Sequence, residues 1–149
     1  LIGVSFLFIP KLFKDDILSL IISIIGSVFI FFGTFFFAGV GLTPYDLYLD
    51  EHIFFALNAF RLLVPGLVLY FFVLMRSNVN KKYLIMIFIL LFFTLSYVVY
   101  QIVSDSPLTS IEQMVEQAII QKIITFVNIV CMFFLSFAFS ERLKVIKLI

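Results

Sequence analysis

Polar and apolar residues along this chain are sorted into blocks rather than stripes. Four blocks are apolar all round: Ile17–Val40, Ile53–Leu74, Tyr83–Val103 and Ala118–Phe139. A bilayer core about 30 Å thick needs roughly 20 such residues in helical form, and each block is long enough. Backbone groups left unpaired in hydrocarbon are costly, so only helices and closed barrels cross it. A barrel would show segments of about ten residues with alternating polarity, and the chain has none. The pattern predicts an all-α, polytopic transmembrane helix bundle. It is a single domain, residues 1–149, with four complete spans at about 17–40, 53–74, 83–103 and 110–139.

Three details refine that outline. Residues 1–10 are apolar from Leu1 to Ile9 and end at Pro10. They lack the charged leader and small-residue cleavage site of a signal peptide, and read as the end of a preceding, partial fifth helix. Ser106-Pro107 breaks the chain after the third span. Beyond it, Thr109 with Glu112, or Ser110 with Gln113, has capping-box spacing, so the last helix begins outside the hydrocarbon. In the second span, Pro65 removes a backbone hydrogen bond and predicts a bend that frees the carbonyl of Arg61.

Charge then orients the bundle. The connector before the second span holds Asp46, Asp50 and Glu51 with no Lys or Arg, and the next holds Arg76, Lys81 and Lys82 with no acid. Asp105, Glu112 and Glu116 precede the last span, while Arg142, Lys144 and Lys147 follow it. Basic residues near span ends mark the cytoplasmic or matrix-like side. That rule predicts both ends inside and two acidic loops outside.

Composition agrees, and it removes several functions. The chain is 64% hydrophobic and 13% charged, against about 25% charged in soluble domains, which leaves no room for a second, soluble domain. The net charge of +1 argues against nucleic acid as a partner, because that interaction needs a basic face. One His and one Cys exclude a multi-histidine metal site and an intrachain disulfide. No cofactor is predicted. GxSxG elbows, Gly-rich phosphate loops and paired carboxylates within a span are absent from the sequence, and no catalytic residue is assigned.

The residue with the sharpest chemistry is Arg61, inside the second span. A guanidinium in hydrocarbon is expensive, so it needs an answering group and is a site candidate by default. Phe54, Asn58, Arg61 and Pro65 share a helical face. On the last helix Gln117, Gln121, Thr125 and Asn128 form a second polar stripe, and on the third helix Tyr97 and Gln101 form another. With His52, Asp46 and Asp50 from the outer loop, these residues predict an acidic-rimmed recess with Arg61 at its floor. The competing reading is structural, since such stripes commonly hydrogen-bond helix to helix for about 0.6 kcal/mol each. Ser19, Ser23 and Gly26 give the first span a face for close packing.

The loop Gly39-Val-Gly-Leu-Thr-Pro-Tyr-Asp-Leu-Tyr-Leu-Asp-Glu-His52 resembles the loop between the third and fourth helices of six-helix DRAM-like and related bacterial membrane proteins. Gly41, Pro44, Asp46 and His52 are the matching positions, and the likeness covers about a quarter of the chain. It implies a six-helix fold in which residues 1–10 end helix two, and it implies no single activity.

Three functions fit these residues. The first is a non-catalytic accessory or scaffold subunit of a larger membrane complex, with membrane lipids and other membrane proteins as partners. The second is an outward-facing binding or transport protein that holds an anionic lipid or small anion on Arg61. The third is an intramembrane lipid-modifying enzyme built on His52. The location is a multi-pass position in a bacterial inner membrane or an organelle membrane.

Overall fold

A computed structural model describes residues 2–77, 79–104 and 110–147, with side chains to residue 144. It is all-α. A short helix α1 (Ile2–Phe6) leads through a 3-10 turn (Ile9–Phe13) into α2 (Ile17–Leu42), α3 (Leu49–Arg76), α4 (Lys81–Val103) and α5 (Ile111–Lys147). The last four are each long and apolar enough to cross a membrane.

Local chemistry sets the boundaries. Asp16 caps α2, its carboxylate accepting from the amide of Leu18 and the hydroxyl of Ser19. Asn80 caps α4 through the amide of Lys82. Ser110 accepts from the amide of Gln113 at the start of α5, as the capping spacing predicts; Asp105 to Thr109 lie outside the described residues. Pro44 opens the turn between α2 and α3 by accepting from Leu47 and Tyr48. α3 continues through Pro65 as one helix. α5 runs past the predicted end at residue 139, because Ser140 to Lys144 stay helical after hydropathy has fallen.

The helices follow one another around a ring, α2 on α3, α3 on α4 and α4 on α5. α2 and α3 form the most intimate pair. Ser19, Ser23, Gly26, Ser27, Ile30 and Gly33 make the buried face of α2, confirming the small-residue face read from sequence. A methyl group added at Gly66 would lie 2.6 Å from Ile30 Cγ1 and 3.1 Å from the carbonyl oxygen of Gly26. Small residues let helix backbones approach closely where lipid removes the hydrophobic drive to associate. The α4–α5 pair works differently. Tyr83, Ile87, Leu90, Thr94 and Tyr97 of α4 are buried, as are Ile124, Asn128, Cys131, Leu135 and Ala138 of α5. Both sets repeat at alternating steps of three and four, the spacing of knobs-into-holes packing.

α1 runs antiparallel to α2, Gly3 beside Thr34 and Phe6 beside Ser27. Buried Phe6 and Phe13 anchor it. The Ser27 hydroxyl reaches both the Phe6 carbonyl, at 2.6 Å, and the Tyr70 hydroxyl, at 2.6 Å, joining α1, α2 and α3 around one buried polar point. Phe139 packs edge-on against Phe6 and Tyr70, which closes the ring at that level.

Candidate functional site

The basic end of the bundle and its middle are built from different chemistry. At one end lie the start of α2, the end of α3, the start of α4 and the end of α5. Arg76 Nε donates to Asp16 at 2.9 Å, and Lys82 Nζ to Glu141 at 3.4 Å. Tyr83 donates its hydroxyl proton to Glu141 at 2.5 Å. Arg142 pairs with Asp15 and donates to the Leu12 carbonyl at 3.1 Å, tying α5 to the 3-10 turn. The Arg76 guanidinium, helped by the Ser19 hydroxyl, holds the Asp16 carboxyl at about 2 instead of the ordinary 3.8. Arg142 lowers Asp15 in the same direction. These are the basic segments that the charge pattern assigned to one side of the membrane.

About midway along the helices α5 and α2 stand apart. A cleft of about 700 Å³ opens between them, bounded by Gly3 of α1, Thr34, Phe37 and Ala38 of α2, Leu63 of α3, and Thr125, Asn128 and Met132 of α5. Asn128 is 7% exposed. Its amide donates to the Ile124 carbonyl at 2.9 Å. The Thr94 hydroxyl stands 3.4 Å from Asn128 Oδ1 but only 2.7 Å from the Leu90 carbonyl. A hydroxyl carries a single proton, so Leu90 takes it and Asn128 Oδ1 receives a weak share.

The predicted recess is not assembled, because Arg61 does not face the interior. Ala59, Phe60 and Leu63 are the buried residues around it, and Leu63 borders the cleft. At 3.6 residues per turn, two residues rotate a helix by about 200°, so Arg61 points away from that cleft and is exposed. Gly33 fixes this rotation: it admits Leu63 and the Ala59 carbonyl so closely that an added methyl would stand 3.1 to 3.2 Å from them. Among the described residues Arg61 has no hydrogen-bond or ion-pair partner.

The other predicted residues scatter. Asn58, half-buried on the same outward stripe, donates to the Phe54 carbonyl at 2.7 Å. Tyr97 is buried edge-on against Phe60, with ring centroids 4.6 Å apart, and stacks on Tyr100 at 6.3 Å. Gln101 is half-buried beside it, and its Oε1 has no hydrogen-bond partner among the described residues. Gln121 is half-buried one helical turn before buried Ile124. Asp46 and Asp50 are exposed. His52 Nδ1 lies 2.6 Å from the Thr43 carbonyl, and its ring meets Tyr45 edge-on. That contact assigns the Nδ1 proton to a backbone oxygen rather than to a nucleophile. Of the predicted constellation, Thr125 and Asn128 line the cleft, while Arg61 stands on the outer face of α3.

Sequence reasoning missed Tyr70, Thr94 and Arg142. Each carried a usable signal: a hydroxyl amid an apolar block must find a partner, and an Arg just past a span can reach a cap or a carboxylate. No protein-family model, curated protein or solved structure matches the chain.

Proposed function

We propose that this chain is a non-catalytic accessory or scaffold subunit of a larger membrane assembly. The observation that carries the reading is the outward placement of Arg61. A fixed cation on the exterior of a membrane helix has to be answered from outside these four helices. Several inward-facing polar groups, by contrast, are answered within the chain: Ser27 with Tyr70, Asn128 with Ile124 and Thr94, and His52 with Thr43. The likeness of the Gly41–His52 loop to six-helix membrane proteins belongs to the same proposal and would make α2 to α5 the last four helices of such a bundle. Orientation with both ends on the cytoplasmic side is likewise proposed, from the basic connectors.

Extraction from native membranes in a mild detergent tests the reading. Native mass spectrometry should show the chain together with at least one other protein in fixed ratio; recovery as a stable lone monomer would remove the proposal.

A second reading rests on the cleft. Its walls are apolar apart from Thr34, Thr125 and Asn128, which suits a lipid chain entering sideways between α2 and α5. Arg61 stands outside it, so a headgroup held there would not be held by that guanidinium. Mass spectrometry of the purified protein should then show retained lipid that is lost when Ala38→Trp fills the cleft. Unchanged retention would remove this reading.

A further inference from the structure

We propose that the outward face of α3 around Arg61 docks a transmembrane helix of a different protein, one carrying a carboxylate at the same depth. This rests on the subunit reading above and names its contact.

Depth is the first argument. Arg61 stands 8 residues after Ile53, where the apolar block begins, and 15 before Arg76 in one unbroken helix. At 1.5 Å per residue those are about 12 and 22 Å. Side chains on a helix lean toward its N-terminus, so the guanidinium leans toward Leu49. Its stem covers only a fraction of that distance. A partner at its own level relieves the charge better than a phosphate more than a turn away.

The second argument is the face itself. Phe54, Asn58, Arg61, Pro65, Val68 and Phe72 follow at alternating steps of four and three along α3. That is the stripe one helix offers another, and it points away from the chain's own core. Phe54 and Phe72 are exposed at its two ends. Asn58 lies one turn from Arg61 on the approach side, where amide side chains act as interhelical glue.

The third argument selects the partner. The blocks 17–40, 53–74, 83–103 and 118–139 contain no Asp or Glu. A second copy of these four helices therefore brings no carboxylate to the depth of Arg61, and a symmetric pairing of this face would set Arg61 against Arg61. A carboxylate from another protein makes a forked, charge-assisted pair with the guanidinium, the geometry in which Arg surpasses Lys.

Lys122 supplies the internal control. It is also exposed, 11 residues into α5, but its stripe contains no second polar anchor of this kind.

The probe is a polyleucine transmembrane peptide with one Asp at the matching depth, compared with its Asn twin. Energy transfer to the full-length chain is measured in phosphatidylcholine vesicles. The Asp peptide should associate at least about tenfold more tightly than the Asn peptide, a difference of about 1.4 kcal/mol. Arg61→Gln should abolish that preference, Arg61→Lys should keep part of it, and Lys122→Gln should leave it intact. The proposal is overturned if wild type shows no preference, if the preference survives Arg61→Gln, or if Lys122→Gln removes it equally. It is also overturned if adding phosphatidylglycerol erases the preference, since lipid phosphate then answers the cation. In native membranes, a complex that forms equally well with Arg61→Gln overturns the pairing and leaves the subunit reading standing. A lone wild-type monomer overturns both.

Discussion

The two helix pairs solve the same problem in opposite ways. α2 and α3 meet through absent side chains: Gly26, Gly33, Gly66 and Ala59 bring backbone against backbone. α4 and α5 meet through present ones, with Ile87, Leu90, Tyr97 and Leu135 buried between them. In lipid, burial of apolar surface gives no advantage over leaving it exposed, so packing contact and polar bonding must supply specificity. The first pair takes it from van der Waals fit, and the second adds a buried hydrogen-bonding pair, Thr94 and Asn128. The difference has a consequence for shape. α2–α3 is a close-fitted unit, whereas α5 is held to the front of the ring only at its basic end, and the cleft opens where that hold is missing.

The largest effect is expected where backbones touch. Gly66→Ala places a methyl 2.6 Å from Ile30 Cγ1 with the Gly26 carbonyl close behind. Ile30 is fully buried and has no free direction in which to move. Overpacking of this kind costs about 1–3 kcal/mol, read as a lower midpoint in denaturing detergent. Gly41→Ala is the contrast, because nothing lies within 4 Å of the added methyl. It should be neutral or slightly stabilising, as replacing a helical glycine usually is. Equal effects at both sites would show that the close approach of α2 and α3 contributes nothing special.

Next in size is the hold on α5. Arg142 has a side chain 11% exposed, paired with Asp15 and bonded to the Leu12 carbonyl. Hydrogen bonds to charged groups contribute about 1.5–3 kcal/mol when buried; because Asp15 is 60% exposed, Arg142→Gln should cost about 1 kcal/mol. The more telling readout is distance. Spin labels at Leu20 and Leu143 should separate and broaden in the variant, while labels on α2 and α3 keep their spacing. Asn128→Leu should cost less still, about 0.6 kcal/mol, and could approach zero because Thr94 already satisfies itself at Leu90.

How much of this was legible follows from the same physics. The four spans were readable because hydropathy is uniform over 20 residues or more, and the start of the last was readable from the capping spacing at Ser110, whereas the caps at Asp16 and Asn80 emerged only with the structure. Helix rotation was not. A block that is apolar all round carries no polarity signal for which face turns inward, so the Asn58–Arg61 stripe was assigned inward on the premise that polar groups seek the interior. Small side chains decided otherwise: Gly33 against Ala59 and Leu63 sets the rotation of α3, and Arg61 follows to the outside. The small-residue face of α2 was itself visible in the sequence. Its consequence for α3 needed the partner helix in place. Asn128 was read as one member of a polar stripe on the last helix; its companion Thr94 lies 34 residues away, beyond any local pattern.

The smallest effect concerns acid. Asp16 titrates at about 2 when folded, against an ordinary value of 3.8, chiefly because Arg76 bonds it and secondarily because Ser19 does. A carboxylate depressed in the folded state stabilises that state above its unfolded value, and the contribution is lost as pH falls through the folded one. The contribution of this pair is therefore complete above about pH 4 and disappears between there and pH 2. Asp15 moves in the same direction under Arg142, and Glu141 under Tyr83 and Lys82, so the other contacts at the basic end also weaken in acid. The cleft, whose walls carry no titrating group, should be unaffected. Hydrogen exchange in detergent from pH 5 to pH 2, corrected for intrinsic rates, should show protection fading at the start of α2 before the middle of α4. Arg76→Gln should flatten the dependence at α2, since with the guanidinium gone Asp16 returns toward its ordinary value. If both regions lose protection in parallel, the ion pairs are ornaments on a bundle held by packing alone.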